Sequence, residues 1–269
     1  MSKFGFIGCG NMGGALLRAV AEQVGGNNVY ASDFDENKVN TLSRECGIIS
    51  CDNFVIAKEC DYIFLGVKPQ VLLRELLPSI KEELKNRATD FVLVSMAAGI
   101  STETITSALG HEWPVIRIMP NIPASVGNGM ILYCTNGAVG EEQTDIFIKA
   151  MSKSGIVDSI PEKLIDAASA VSGCGPAFVY LFIEALADGG VDCGLPRSKA
   201  LLYAAQTVKG AADMLIKSGK HPGELKDAVC SPGGTTIEGV YALEKGAFRA
   251  TTMDAVIKAY NKTKELGKN

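Results

Sequence analysis

The sequence predicts an α/β fold followed by an all-helical part, and three observations predict it. From residue 3 to about 160, short apolar and β-branched runs alternate with helical patterns, the signature of βαβ units and a mainly parallel sheet. A glycine-rich turn, Gly8-Cys9-Gly10-Asn11-Met12-Gly13, follows the first run directly. After Pro161 the strand pattern stops, and the remainder reads as helices punctuated by Gly and Pro. The boundaries are therefore 1–160 for the sheet domain and 161–269 for the helical domain.

The candidate strands are 4–8, 28–32, 62–67, 91–95 and 115–119, with edge strands at 130–134 and 155–158. Each of the first four is a nearly continuous apolar run, as expected when helices cover both faces of a sheet. In the second part, Pro176, Pro196 and Pro222 mark helix starts, where a first-turn proline costs no hydrogen bond. One helix carries Phe178, Leu181, Phe182, Ala185 and Leu186; the next carries Leu201, Ala204, Val208 and Ala212. Apolar surface on more than one helix face is expected to be buried against a second copy of the chain, because about a hundred residues make a modest core. The Lys/Glu-rich stretch from Lys262 to Lys268 reads as a solvated helix end.

Composition narrows the function class. The chain has 269 residues, 47% of them hydrophobic, and a formal charge of −4, with no basic stripe of the kind that nucleic acids or anionic lipid surfaces attract. No run of about 18 uninterrupted apolar residues marks a membrane span, and the N-terminus enters a strand pattern instead of a signal peptide. These readings predict a cytoplasmic protein whose partners are small molecules and itself, with no nucleic acid and no membrane. Eight cysteines without any CxxC pair, and only His111 and His221 as imidazoles, lack the spacing of a metal site or a disulfide framework.

The chemistry is carried by the strand ends. Gly8, Gly10 and Gly13 fit GxGxxG between a strand and a helix. Gly8 permits the tight turn, Gly10 lets backbone approach a pyrophosphate, and Gly13 lets helix and strand pack, giving a Rossmann-like, NAD(P)-binding domain. Cys9, Asn11 and Met12 complete the cofactor-binding turn. Asp33, twenty positions after Gly13, is placed to accept the adenosine ribose hydroxyls. A carboxylate there repels a 2′-phosphate and favours NADH, unless Asp33 merely closes its strand beside the helix-capping Asp35 and Glu36. Further strand ends at Val67-Lys68-Pro69, Ala97-Ala98-Gly99 and Asn121 are expected to contact the cofactor.

In the helical part, Ser172-Gly173-Cys174-Gly175-Pro176 and Ser231-Pro232-Gly233-Gly234-Thr235-Thr236 both precede helices. The hydroxyls of Ser231, Thr235 and Thr236, with free N–H groups at a helix start, suit a small carboxylate, although such residues also serve as ordinary caps. A carbonyl reductase needs an acid to protonate the alkoxide. That acid is hard to place here, whereas a protonated imine accepts hydride and becomes an amine directly, so a C=N substrate is favoured.

On these segments, and on 221–237 above all, the chain resembles the pyrroline-5-carboxylate reductase family over nearly its full length. The resemblance implies hydride transfer from NAD(P)H to the imine carbon of 1-pyrroline-5-carboxylate, giving L-proline, the last step of proline biosynthesis. It implies that Ser231, Gly233, Gly234, Thr235 and Thr236 hold the substrate carboxylate and that the Thr236 hydroxyl, the catalytic position, lies near the ring nitrogen. It further implies an interlocked homodimer, often assembled in this family into a ring of dimers such as a decamer of five dimers. Three positions depart from the family pattern: Cys174 where serine is common, Phe178 where tyrosine is common, and Asp33 where members preferring NADPH have Ser, Thr or Arg. Two alternatives are a β-hydroxyacid dehydrogenase-like oxidoreductase, disfavoured because 176–191 contains no lysine, and a non-catalytic NAD(P)-sensing protein on the same fold.

Overall fold

A computed structural model describes residues 1–266, so Lys268 of the expected solvated end lies outside the described residues. The chain packs as two compact units. One comprises Met1–Cys174 with the end of the last helix from Ala259, and the other is Gly175–Lys258.

The first unit runs β1 (Phe4–Ile7), α1 (Asn11–Val24), β2 (Val29–Ser32), α2 (Glu36–Cys46), β3 (Ile49–Ser50), α3 (Asn53–Glu59), β4 (Tyr62–Leu65) and α4 (Pro69–Val71). It continues with α5 (Leu77–Lys85), β5 (Val92–Ser95), α6 (Thr102–Leu109), β6 (Val115–Met119), β7 (Gly129–Thr135), α7 (Glu141–Met151), β8 (Gly155–Ser159) and α8 (Glu162–Ser172). The sheet order is β3-β2-β1-β4-β5-β6-β7-β8, antiparallel only at the β6–β7 pair. Chain direction away from the centre reverses between β1 and β4, the switch point outside which ligands bind in open α/β sheets. One apolar layer gathers Phe6, Leu16, Leu17, Phe64, Ile118 and Phe147, with Phe6 and Phe64 stacked at 4.2 Å. The other gathers Ile63, Leu65, Ile80, Leu93 and Ile105. This is the predicted α/β, mainly parallel arrangement.

The structure corrects several boundaries. β1 stops before Gly8, which takes φ +98°, outside the extended region, and β4 stops at Leu65, before Gly66. β3 went unpredicted: two exposed residues are too few to show a period. Pro196 stands at the N-cap of the following helix, one place before its first turn. The change from strands to helices falls at Pro161, whereas the packing boundary falls at Gly175. α8 packs on the sheet, with Ile165 buried among Met119, Leu132 and Cys134.

The second unit is all helix: α9 (Gly175–Asp192), α10 (Arg197–Ser218), α11 (Pro222–Val229), α12 (Thr235–Lys245) and the start of α13 (Phe248–Leu266). α9 and α10 pack through small residues, with Ala187, Ala200 and Ala204 buried against Ile183 and Val191. An apolar groove of about 530 Å³ is lined by Phe178, Leu181, Phe182, Leu243 and Phe248. No run of about 18 uninterrupted apolar residues occurs, although one stretch is apolar on average. Glu162–Asp192 contains an 18-residue window of mean hydropathy 1.5, enough by length and composition to cross a membrane. A turn at Gly173 and Cys174 breaks that stretch.

Candidate active site

The glycine turn has the geometry that its spacing requires. A Cβ on Gly8 would lie 2.7 Å from the Gly66 carbonyl oxygen, and one on Gly13 would lie 2.2 Å from the Gly8 carbonyl oxygen, so both positions are closed to any side chain. A Cβ on Gly10 would meet nothing within 4 Å. The open side of the loop is therefore at Gly10, which is also the N-cap of α1. No side chain caps that helix and no acid stands in its first turn. Such N–H groups, at Asn11, Met12 and Gly13, can hold an anion.

Asp33 is nearly buried, with 12% of its side chain exposed, and it does more than close β2. Its carboxylate accepts the Cys9 N–H at 2.6 Å and the Asp35 N–H at 2.9 Å, bracing the glycine turn against the end of β2. The cap of α2 is Asp35, which accepts the Asn37 N–H at 3.1 Å. Lys38 lies 3.8 Å from both Asp33 and Asp35. Burial, then the charge of Asp33, pushes the Cys9 thiol up to about 12, so Cys9 contributes a backbone donor and an inert side chain.

Two clefts flank this brace. One, about 450 Å³, is lined by Gly10, Asn11, Arg18, Asn37, Lys38 and Thr41. The other, about 430 Å³, holds Gly8, Asp33, Phe34, Asn53, Val67 and Glu75. Glu75 comes from a π-helical turn, Leu72–Leu76, between α4 and α5. Asn53 has a buried side-chain oxygen without a hydrogen-bond partner, an acceptor that sequence reasoning missed. It follows the unpredicted β3 and adjoins the Asp52 cap, so its local signal reads as helix capping and nothing more.

Val67 lines the second cleft, while Lys68 is exposed at the N-cap of α4 and Pro69 occupies its first turn. Ala97 is buried, Ala98 exposed, and Gly99 turns the chain with φ +74° before α6. Asn121 is buried and already engaged: its amide donates to the Ser172 carbonyl at 2.9 Å and its oxygen accepts the Met130 N–H at 2.9 Å. These bonds give it a structural task that sequence reasoning did not foresee. All these residues lie at the carboxyl edge of one sheet, as the parallel strands require.

In the helical unit, Ser231-Pro232-Gly233-Gly234 forms a turn closed by the Gly234 N–H to the Ser231 carbonyl at 3.0 Å, with Gly233 at φ +65°. A Cβ on Gly234 would lie 2.3 Å from the Ser231 hydroxyl oxygen, so the glycine lets that hydroxyl fold over the start of α12. Gly234 is the N-cap of α12 and no side chain caps it. The Thr235 and Thr236 hydroxyls stand in the first turn, and Thr235 is exposed. The arrangement has the donors with which a small anion could be held behind a glycine turn. All eight cysteines are free thiols. Among the described residues, no group of three or more His, Cys, Asp or Glu side chains is placed to hold a metal.

Comparison with known proteins gives the family. Residues 162–266 match the family described as pyrroline-5-carboxylate reductase dimerisation, and residues 3–99 match NADP oxidoreductase coenzyme F420-dependent. A pyrroline-5-carboxylate reductase of Methanosarcina acetivorans is 43% identical, covering 99% of this chain and 98% of that protein. One from Escherichia coli is 40% identical over 99% of each. Among solved structures, a pyrroline-5-carboxylate reductase from Coxiella burnetii superposes with a TM-score of 0.91 at 32% identity, covering 98% of each chain. The Plasmodium falciparum pyrroline carboxylate reductase with NADP bound gives 0.85 at 35%, covering 99% of this chain and 98% of that one. With its fold, its glycine turns and these full-length matches in agreement, this oxidoreductase belongs to the pyrroline-5-carboxylate reductase family.

Proposed function

We propose that the chain reduces 1-pyrroline-5-carboxylate to L-proline with NAD(P)H. The observation that carries this reading is the pair of uncapped helix N-termini behind glycine turns, α1 in the sheet unit and α12 in the helical unit. The first suits a pyrophosphate and the second a small carboxylate. Bound nicotinamide supplies the hydride. Gly10 and the N–H groups of α1 hold the pyrophosphate, Asp33 and Asn53 face the adenosine end, and Ala97, Ala98 and Gly99 give a flat, small-residue seat for the nicotinamide. Lys68 and Val67 border the crevice between them. Ser231, Gly233, Gly234, Thr235 and Thr236 grip the substrate carboxylate, and the Thr236 hydroxyl orients the ring nitrogen. No general acid is required for a protonated imine, so binding and orientation supply the protein's share of the rate.

NADH is the favoured cofactor in this reading, because Asp33 stands beside the ribose and repels a 2′-phosphate. Lys38, 3.8 Å away, offsets part of that charge and narrows the preference. The working form is a cytoplasmic homodimer, and a decamer of five dimers is the proposed higher assembly. Purified protein mixed with 1-pyrroline-5-carboxylate and NADH or NADPH tests the proposal through absorbance at the nicotinamide band. Imine-dependent oxidation supports it, and cofactor binding without turnover would return the chain to a sensing role.

A further inference from the structure

A buried arginine in the sheet unit is left unused by this reading. Arg117, on β6, is 4% exposed and sits between the apolar residues Val115 and Met119 on the same sheet face. Its guanidinium reaches Glu162 at 3.3 Å and Asp166 at 2.9 Å on α8, and its Nε has no partner. Glu162 is engaged further. It accepts the Thr102 N–H at 2.8 Å through one oxygen and the Thr102 hydroxyl at 2.8 Å through the other. Thr102 opens α6 directly after the Ser101 cap, three residues beyond Gly99. In register beside Arg117 stands Ser95, also fully buried, whose hydroxyl oxygen accepts the Ala97 N–H at 3.3 Å. The backbone of the Ala97–Gly99 turn is thus held at one end by Ser95 and at the other by a chain of charge-assisted bonds running from Arg117 through Glu162 to Thr102.

We propose that Arg117, Glu162 and Thr102 form a positioning clamp that sets the height of the Ala97–Gly99 turn, and with it the seat of the nicotinamide ring. The geometry separates two jobs within the network. Asp166 anchors only the arginine, whereas Glu162 anchors the arginine and the turn. A purely structural ion pair predicts similar consequences for loss of either acid. A clamp predicts that Glu162→Gln and Thr102→Val disturb the reacting end of the cofactor, while Asp166→Asn changes stability alone. Affinity for the whole cofactor, dominated by the adenosine and pyrophosphate contacts far along the sheet edge, stays constant in all three.

This proposal rests on the nicotinamide seat proposed above, and one set of titrations distinguishes failure of the two. NADH and NADPH fluorescence is titrated onto the full chain and the three variants, and kcat and KM are measured with the imine. For Glu162→Gln and Thr102→Val the expected result is a fall in kcat of about ten- to a hundredfold, as misplacement of reacting atoms produces, with cofactor Kd within about twofold. The emission enhancement of bound nicotinamide falls in parallel. Asp166→Asn lowers the Tm and leaves both readouts near those of the unmodified chain. The clamp is overturned if Glu162→Gln and Asp166→Asn are indistinguishable, or if kcat and emission are unchanged in folded Thr102→Val. Absent turnover by the unmodified chain overturns the functional reading instead, and the emission still tests the clamp.

Discussion

The two units are built from equally apolar sequence, yet they use it differently. In the sheet unit Phe6, Phe64, Leu65 and Ile118 are fully buried, because helices on both faces enclose the strands. In the helical unit only Ala187, Ala200 and Ala204 are buried among the described residues, while Leu181 is 67% exposed and Met214 60%. A fully buried leucine contributes about 1.5–3 kcal/mol, so the sheet unit is self-sufficient and the helical unit leaves most of that stabilisation unclaimed. The difference gives the family match to a dimerisation region a physical meaning: five helices with alanine contacts between them leave an apolar surface of the kind that a second copy would cover.

The largest effect should come from placing a charge in that surface. Leu181→Asp puts a carboxylate in the apolar groove, and an uncompensated charge in an interface weakens self-association by about a hundredfold or more. Light scattering should show monomer or aggregate, with activity lost alongside. The matching change in the sheet unit, Phe64→Ala, should cost about 3–5 kcal/mol of stability and leave oligomer size unchanged. A Leu181→Asp chain that keeps the size and activity of the unmodified protein breaks the comparison.

Next in size are the glycines. Gly13→Ala drives a methyl against the Gly8 carbonyl and should unfold the turn, seen as a lowered Tm. Gly10→Ala meets open space, so the Tm should stay put while NAD(P)H affinity falls by about tenfold or more through lost approach to the pyrophosphate. Calorimetry beside a binding titration separates the two. Equal loss of Tm in both variants would mean that the open side of the loop has been misread.

In the helical unit, Thr236→Ala removes one hydroxyl from the carboxylate receptor. A charge-assisted hydrogen bond of about 1.5–3 kcal/mol predicts a KM for the imine raised about ten- to a hundredfold, with KM for the cofactor unchanged. Asp33→Ser should act more gently. It shifts the NADPH-to-NADH ratio of kcat/KM upward by about tenfold at most, since Lys38 already screens the carboxylate. It also loses the Cys9 N–H brace, so NADH affinity falls as well. An unchanged ratio would assign Asp33 to bracing alone. The smallest effect concerns Cys9. With its thiol pushed up to about 12, alkylation at pH 8 should leave it unmodified, and mass spectrometry of labelled protein reads this directly.

Much of this was legible because spacing and chemistry coincide. GxGxxG between a strand and a helix foretold the closed positions at Gly8 and Gly13 and the open one at Gly10, since only backbone geometry is involved. The apolar helices foretold an unpartnered surface for the same reason: composition alone shows that a hundred residues cannot enclose them. What stayed hidden depends on contacts far apart in the chain. Asp33 looked like a ribose ligand or a cap, and only the fold shows it bonded to Cys9 across two strand ends. Asn121 looked like a free strand-end amide, but Ser172 and Met130 occupy it. Arg117 within an apolar strand gave no hint that its partners lie on α8. Asn53 was missed with β3, two exposed residues that carry no periodicity.

A nicotinamide site in the sheet unit and a carboxylate receptor at Ser231–Thr236 are proposed to act on one cyclic imine. Steady-state kinetics of the purified chain and of Thr236→Ala, with 1-pyrroline-5-carboxylate varied at saturating NADH and then NADPH, tests this most directly. The expected result is imine-dependent oxidation of both cofactors, L-proline as product, a higher kcat/KM with NADH, and a raised imine KM in Thr236→Ala alone. Absence of turnover, or a variant whose imine KM matches that of the unmodified chain, would contradict it.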